Sequence, residues 1–317
     1  MLTVLFLFGG IVVIYFGAEI LIKGSTDFAL KLGVKPIIVG LTFIAFGTSS
    51  PELFVGLNAA VAGNSIISLG NIIGSNICNI ALILGLAAFI SPMNVESAFI
   101  KKELPILIAV TLLLTLLLID KELGRIDGAI LLTALFVHMY MSYSTARKEK
   151  NKIVEAEFSE EYSPSHRTLF QNVLYMIGGI GLLVIGSYLF VDGATKAGAF
   201  FGLNGLVIGL TFVAVGTSLP ELATSVVSAF KKENDIAISN IVGSNIFNIL
   251  GVLGIIALIN PIDAASVKLV DYLVMIEFTL ILYLMTKTGA LVVRISGAVL
   301  LLGYLAYIFS LLFSARI

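Results

Sequence analysis

Residues 40–53 read GLTFIAFGTSSPEL, residues 209–222 read GLTFVAVGTSLPEL, and the rest of the chain follows that repetition. Adding 169 to a position in the first half gives its counterpart in the second without a gap. Gly9, Gly17, Gly24 and Gly33 fall on Gly178, Gly186, Gly193 and Gly202. Gly40, Asn71, Gly74 and Pro92 fall on Gly209, Asn240, Gly243 and Pro261. Between positions 36 and 92 there are 26 identities in 57. A general apolar bias produces matches among Leu, Ile and Val, but it does not align Gly, Thr, Ser, Pro, Glu and Asn. The chain is an internal duplication, so its fold must be assembled from two copies of one unit.

The unit belongs in a bilayer. Of 317 residues, 58% are hydrophobic and 12% charged, with a mean hydropathy of +1.07, against about 25% charged in an ordinary soluble domain. Apolar spans of about 20 residues, the length that crosses a bilayer core, recur from end to end. Five run near Leu2–Ile22, Pro36–Val61, Ile66–Ile90, Leu104–Ile119 and Ile126–Tyr143. Five more run near Leu169–Val191, Leu206–Phe230, Ile236–Ile259, Leu269–Met285 and Ile295–Leu312. The first span lacks a basic leader and reads as a retained helix instead of a cleaved signal. The organisation expected is a five-helix repeat over 1–143, a short polar loop over 144–167, and a second five-helix repeat over 168–317. A net charge of −1 argues against a nucleic-acid partner. The single cysteine, Cys78, leaves no intrachain disulfide. The bilayer is the partner implied, and no obligate protein partner is evident in the sequence.

Five is an odd number, so the second copy enters the membrane from the opposite side to the first. The class expected is an all-α integral membrane protein: ten transmembrane helices in two inverted repeats, a substrate site at the midplane between them, and helices 2 and 7 broken around it. Loop charges agree with such an arrangement. One side receives 14 basic residues, from Lys23, Lys31, Lys35, Lys101, Lys102, the 147–167 loop, Lys231, Lys232, Lys287 and Arg294. The other receives 5: Lys121, Arg125, Lys196, Lys268 and Arg316. The excess marks the first side, with the central loop, as cytoplasmic and puts both termini outside a cell membrane crossed many times.

The repeated phrase carries the chemistry. Thr48 and Glu52 stand four apart on one helix face, with Ser49 beside them; Thr217, Ser218 and Glu221 repeat the pattern. Pro51 has no amide to donate and clashes with the carbonyl of Gly47, so the carbonyls from Ala45 to Thr48 are expected to leave the helix ladder. Carboxylate, hydroxyl and carbonyl oxygens are the donors that hard cations such as Ca²⁺ take in sixes to eights. An ionised side chain at a helix centre costs roughly 2.5–3.5 kcal/mol on insertion scales. A bound divalent ion, or monovalent ions in competition with it, removes that charge. NIIGSNICNI at 71–80 and NIVGSNIFNI at 240–249 add neutral oxygens: Ser75 with Asn79, and Ser244 with Asn248. Neither holds a carboxylate, so the site carries two negative charges.

At these residues the chain resembles a sodium/calcium exchanger of the calcium/cation antiporter superfamily, of the prokaryotic type without a regulatory domain. The resemblance covers the whole chain. It implies that Glu52 and Glu221, with the carbonyls of Thr48 and Thr217, hold Ca²⁺. It implies Na⁺ sites from Ala45, Ser49 and Ser244 on one side and Ala214, Ser218 and Ser75 on the other, with Asn79 and Asn248 lining the centre. Asn248 stands where potassium-dependent exchangers, and some archaeal relatives, place Asp, which favours K⁺-independent exchange. GTS-x-PE, in place of the GN-x-x-E of the proton-coupled branch, disfavours H⁺/Ca²⁺ exchange. The implied activity is electrogenic Na⁺/Ca²⁺ antiport by alternating access, with the ions as cargo, no cofactor and no enzymatic step. A cation channel and an intramembrane hydrolase are the competing classes.

Several residues also have plainer roles. Gly9, Gly10, Gly17, Gly178, Gly179 and Gly186 are close-packing positions, with a sliding surface as the functional alternative. Glu19 and Lys23 are expected to pair locally, His138 to be a satisfied interior histidine, and Asp120 and Asp127 to frame a turn.

Overall fold

A computed structural model describes residues 2–32, 36–61, 63, 65–93, 100–153, 167–200, 214–265, 267, 269–287 and 294–314. Helices dominate. α1 (Leu2–Leu32) and α9 (Leu169–Phe200) open the two repeats. At 1.5 Å per residue α1 is about 46 Å long, well beyond a hydrocarbon core of about 30 Å. It continues past Ile22, where the apolar run was expected to end, because Ala29, Leu30 and Leu32 extend the apolar face.

The second span is broken. Its pieces are α2 (Pro36–Val39), a π-helical turn (Gly40–Ile44), α3 (Ala45–Thr48) and α4 (Ser50–Val61). The third runs through α5 (Ser65–Cys78), a second π turn (Asn79–Leu84) and α6 (Gly85–Ile90). α7 (Ile100–Leu117) and α8 (Arg125–Ile153) complete the first repeat. α8 thus reaches ten residues into the segment expected to be loop. In the second repeat the broken span contributes α10 (Ala214–Thr217) and α11 (Leu219–Phe230); its start, including Gly209, lies outside the described residues. α12 (Asn234–Phe247), a third π turn (Asn248–Leu253) and α13 (Gly254–Ile259) mirror the third span. α14 (Leu269–Lys287) and α15 (Arg294–Ser314) follow. Among the described residues, seven helices are long and apolar enough to cross a membrane. The second and seventh spans are in pieces, α7 carries Lys101, Lys102 and Glu103 in its first turn, and the whole has the ten-helix inverted-repeat fold expected.

The centre of the molecule is the pair of third spans. Of the windows Ser68–Ile90 and Asn234–Ile259, 78% and 83% is buried, against 33% and 28% for α1 and α9. Glycine contacts lock this core symmetrically. Gly85 of α6 meets the Gly297 carbonyl of α15, and Gly128 of α8 meets the Gly254 carbonyl of α13. The offset of 169 maps Gly85 on Gly254 and Gly128 on Gly297, so one contact mirrors the other. α1 and α9 lie against each other on the outside. A Cβ on Gly10 would sit 2.8 Å from the Gly186 carbonyl, and one on Gly179 would sit 2.7 Å from the Leu21 amide nitrogen. Gly9 and Gly178 face open space. Gly10, Gly17, Gly179 and Gly186 are therefore a packing seam between the two helices, as small residues are at membrane interfaces generally.

Smaller features differ from expectation. β1 (Glu122–Leu123) and β2 (Ile262–Asp263) form a two-residue antiparallel pairing between the repeats. Asp120 and Asp127 do frame the turn before α8, by accepting the amides of Glu122 and Gly124. Glu19 does not pair with Lys23. Its carboxylate lies 3.5 Å from the Lys231 ammonium, because α1 continues as a helix and packs along α11. His138 is buried, but its Nδ1 has no hydrogen-bond partner and its Nε2 lies 3.6 Å from Glu103.

Candidate functional site

Both breaks put a turn residue before the proline. Ser49 and Ser218 have φ near −80° and ψ near 5–7°, and the helix resumes immediately after each. The interruption is milder than Pro51 suggested. Ser49 still donates its N–H to the Ala45 carbonyl at 3.1 Å, and a capping N–H reaches the Gly47 carbonyl, so the carbonyls from Ala45 to Thr48 are not released as a set. One turn residue absorbs the proline without unwinding the segment. In the second repeat the Gly216 carbonyl, deprived of an amide by Pro220, accepts the Ser187 hydroxyl of α9.

The breaks bring the two carboxylates into one buried cluster. Glu52 and Glu221 are both 0% exposed. Each receives a hydroxyl from the opposite repeat: Ser218 donates to Glu52 Oε1 at 3.3 Å, and Ser49 donates to Glu221 Oε1 at 3.1 Å. Ser75 adds a longer contact to Glu52 Oε1 at 3.5 Å and touches Ser218 at 3.2 Å. Thr48 lies 3.2 Å from Ser244 and donates to Asn240 Oδ1 at 3.2 Å, while Thr217 approaches Asn71 Oδ1 at 3.5 Å. Ala45 is fully buried, and Ala214 opens α10. Hydrogen bonds thus bring together Thr48 with Ser244, Ser49 with Glu221, and Ser218 and Ser75 with Glu52.

Four oxygens on the packed elements that form this cluster are buried and unpartnered: Glu52 Oε2, Glu221 Oε2, Asn79 Oδ1 and Asn248 Oδ1. Buried polar atoms are nearly always paired, and leaving one unpaired costs about 1–3 kcal/mol, more for a charge. Four acceptors with no donor in the protein are a set that a cation satisfies and a further hydrogen bond from the protein does not.

Two residues of the GSN phrases lie in this layer without having been singled out. Asn76 Nδ2 donates to the Asn245 carbonyl at 3.3 Å, and Asn245 Nδ2 donates to the Asn76 carbonyl at 3.2 Å. Asn79 Nδ2 donates to Asn245 Oδ1 at 2.9 Å, and Asn248 Nδ2 donates to Asn76 Oδ1 at 3.1 Å. The π turns start at Asn79 and Asn248 themselves, and such turns recur at functional sites. The only sequence signal for Asn76 and Asn245 was their alignment across the repeat.

Inverted five-helix repeats with paired carboxylates in broken helices define a class of membrane cation carriers. The sodium/calcium exchanger protein family model matches residues 2–144 and 171–313, and the chain belongs to that family. It is 31% identical over 344 residues to the sodium/calcium exchanger MaX1 of Methanosarcina acetivorans, covering 97% of this chain and 98% of that protein. It is 35% identical over 280 residues to the inner membrane protein YrbG of Escherichia coli, covering 87% and 86%. Its fold matches the sodium-calcium exchanger NCX_Mj, in a structure soaked with 10 mM Na⁺ and zero Ca²⁺, with a TM-score of 0.84 and 31% identity over 98% of this chain and 99% of that one. The protein is thus an antiporter of the sodium/calcium exchanger type.

Proposed function

We propose that the protein exchanges Na⁺ for Ca²⁺ at the Glu52–Glu221 cluster by alternating access, without K⁺ and with net movement of charge. The observation that carries this reading is the set of four buried, donor-less oxygens between the two repeats. Ca²⁺ lies between the carboxylates of Glu52 and Glu221, with the Thr48 and Thr217 carbonyls completing its shell. Na⁺ takes the flanking positions of Ala45, Ser49 and Ser244, and of Ala214, Ser218 and Ser75. Two negative charges match one Ca²⁺, and ions of lower charge displace it only in number, which makes the exchange electrogenic if three Na⁺ move per Ca²⁺. Asn79 and Asn248 supply neutral oxygens, and with no third carboxylate there is no added charge for K⁺ to balance.

The site opens to one side at a time as α1 and α9 move over the core. Thr26 donates to Glu233 at 2.9 Å, and Glu19 pairs with Lys231, so α1 is tied to the loop after α11 on the face assigned to the cytoplasm. Those ties fit a state closed on that face. The test uses purified protein in Na⁺-loaded liposomes. Ca²⁺ uptake is expected, and an inside-positive potential should accelerate it, because each turnover exports net positive charge. Uptake indifferent to potential would remove the electrogenic part of the reading.

A further inference from the structure

Among the buried polar groups, the four asparagines of the GSN phrases form a chain whose direction is fixed at its middle. A backbone carbonyl accepts and never donates. The Asn76 and Asn245 carbonyls therefore oblige Asn245 and Asn76 to present Nδ2 to them, at 3.2 and 3.3 Å. That choice turns the Oδ1 of Asn245 toward Asn79 and the Oδ1 of Asn76 toward Asn248. Asn79 and Asn248 must answer with Nδ2, since an oxygen there would face an oxygen. Their own Oδ1 atoms are then the ends left over, buried and unpartnered. Each step follows from which amide atoms can donate. No step is local, since each bond joins residues 166 to 172 positions apart.

We propose that Asn76 and Asn245 are positioning residues that fix the amides of Asn248 and Asn79 so that the ion site sees only acceptor oxygens. An amide turned the other way would aim two N–H groups at a cation and repel it. The brace crosses between repeats: Asn76 of the first half sets Asn248 of the second, and Asn245 sets Asn79. It rests on Asn79 and Asn248 facing the transported ions, as proposed above.

The test is the KM for Ca²⁺ and the maximal rate of Na⁺-driven uptake in proteoliposomes. Asn76→Ala frees Asn248 to turn, and KM should rise about 10–100-fold, the usual cost of losing a group that orients a metal ligand, with a smaller change in maximal rate. Asp at 248 has no N–H to misplace, so in an Asn248→Asp background the same Asn76→Ala change should raise KM less than about threefold. In an Asn79→Asp background the full loss should remain, because Asn76 does not hold Asn79. The mirror set, Asn245→Ala with Asn79→Asp, is read alongside, so that a variant that fails to fold leaves the other set to decide. Equal losses in every background would overturn the brace and mark Asn76 as ordinary packing. An Asn248→Asp protein with unchanged affinity for Ca²⁺ and Na⁺ would instead overturn the ion-facing role of Asn248, and the brace with it.

Discussion

The two repeats agree closely in the residues proposed to face the ions and differ in what holds those residues. Ser49 on Glu221 and Ser218 on Glu52 are mirror images, as are the four asparagine bonds. Behind them the symmetry fails. The Gly216 carbonyl accepts the Ser187 hydroxyl, whereas the position equivalent to Ser187 is Ala18, and Gly47 is packed against Ile180. Asn240 donates to Ser225, whereas the position equivalent to Ser225 is Gly56, and Asn71 Nδ2 has no partner. Lys231 and Glu233 engage α1, whereas their equivalents are Ala62 and Asn64. In the proposed alternating-access exchange one ligand set serves both faces of the membrane, which would keep the ligands symmetric. The supports around it differ, and that would make the two access states unequal in energy.

The largest effects should treat the halves alike. Glu52→Gln and Glu221→Gln should each reduce Na⁺-driven Ca²⁺ uptake by more than about 100-fold, beyond the range for loss of a supporting group. A large loss in one variant and not in the other would break the symmetry claimed for the site. Next come the glycines of the α1–α9 seam. Gly10→Val and Gly179→Val force a side chain into backbone and should cost about 1–3 kcal/mol, read as a lower Tm of the purified protein. Gly9→Ala and Gly178→Ala, facing open space, should leave Tm within error.

Smaller effects should tell the halves apart. Ser187→Ala removes one hydrogen bond to the Gly216 carbonyl, which Pro220 cannot serve with an amide, about 0.5–1.5 kcal/mol. It should shift the ratio of Ca²⁺ KM values measured from the two membrane faces by about 2–10-fold, whereas in the first repeat Ala18 stands at the equivalent position and offers no such bond to remove. An unchanged ratio would mean that Ser187 holds both access states equally. Lys231→Ala breaks a partly exposed pair worth about 0–1 kcal/mol. It should move the same ratio by less than about fivefold, and the shift should fade as salt rises.

Much of this was legible before the structure, and duplication is the reason. Polar residues at equal positions in two apolar repeats have few explanations, so Glu52, Glu221 and their hydroxyl neighbours could be named and the inverted ten-helix fold inferred. What stayed hidden depended on geometry between repeats. Spacing of four groups Ser75 with Asn79 and leaves Asn76 off that face, and the partners of Asn76 lie in the other half. The π turns at Gly40, Asn79 and Asn248 occur in apolar runs with no periodic marker. Glu19 had a local candidate in Lys23, and the long-range partner Lys231 took its place because α1 packs along α11. Pro51 looked like a wide break, and a single turn residue was enough.

The central claim is that Na⁺ and Ca²⁺ compete for one two-carboxylate site. Ca²⁺ flux into liposomes, with Na⁺, K⁺ and pH gradients imposed independently, tests it most directly. Uptake should follow the outward Na⁺ gradient alone, whether or not K⁺ is present, and a pH gradient should not replace Na⁺. Uptake driven by a pH gradient in Na⁺-free liposomes would contradict the account.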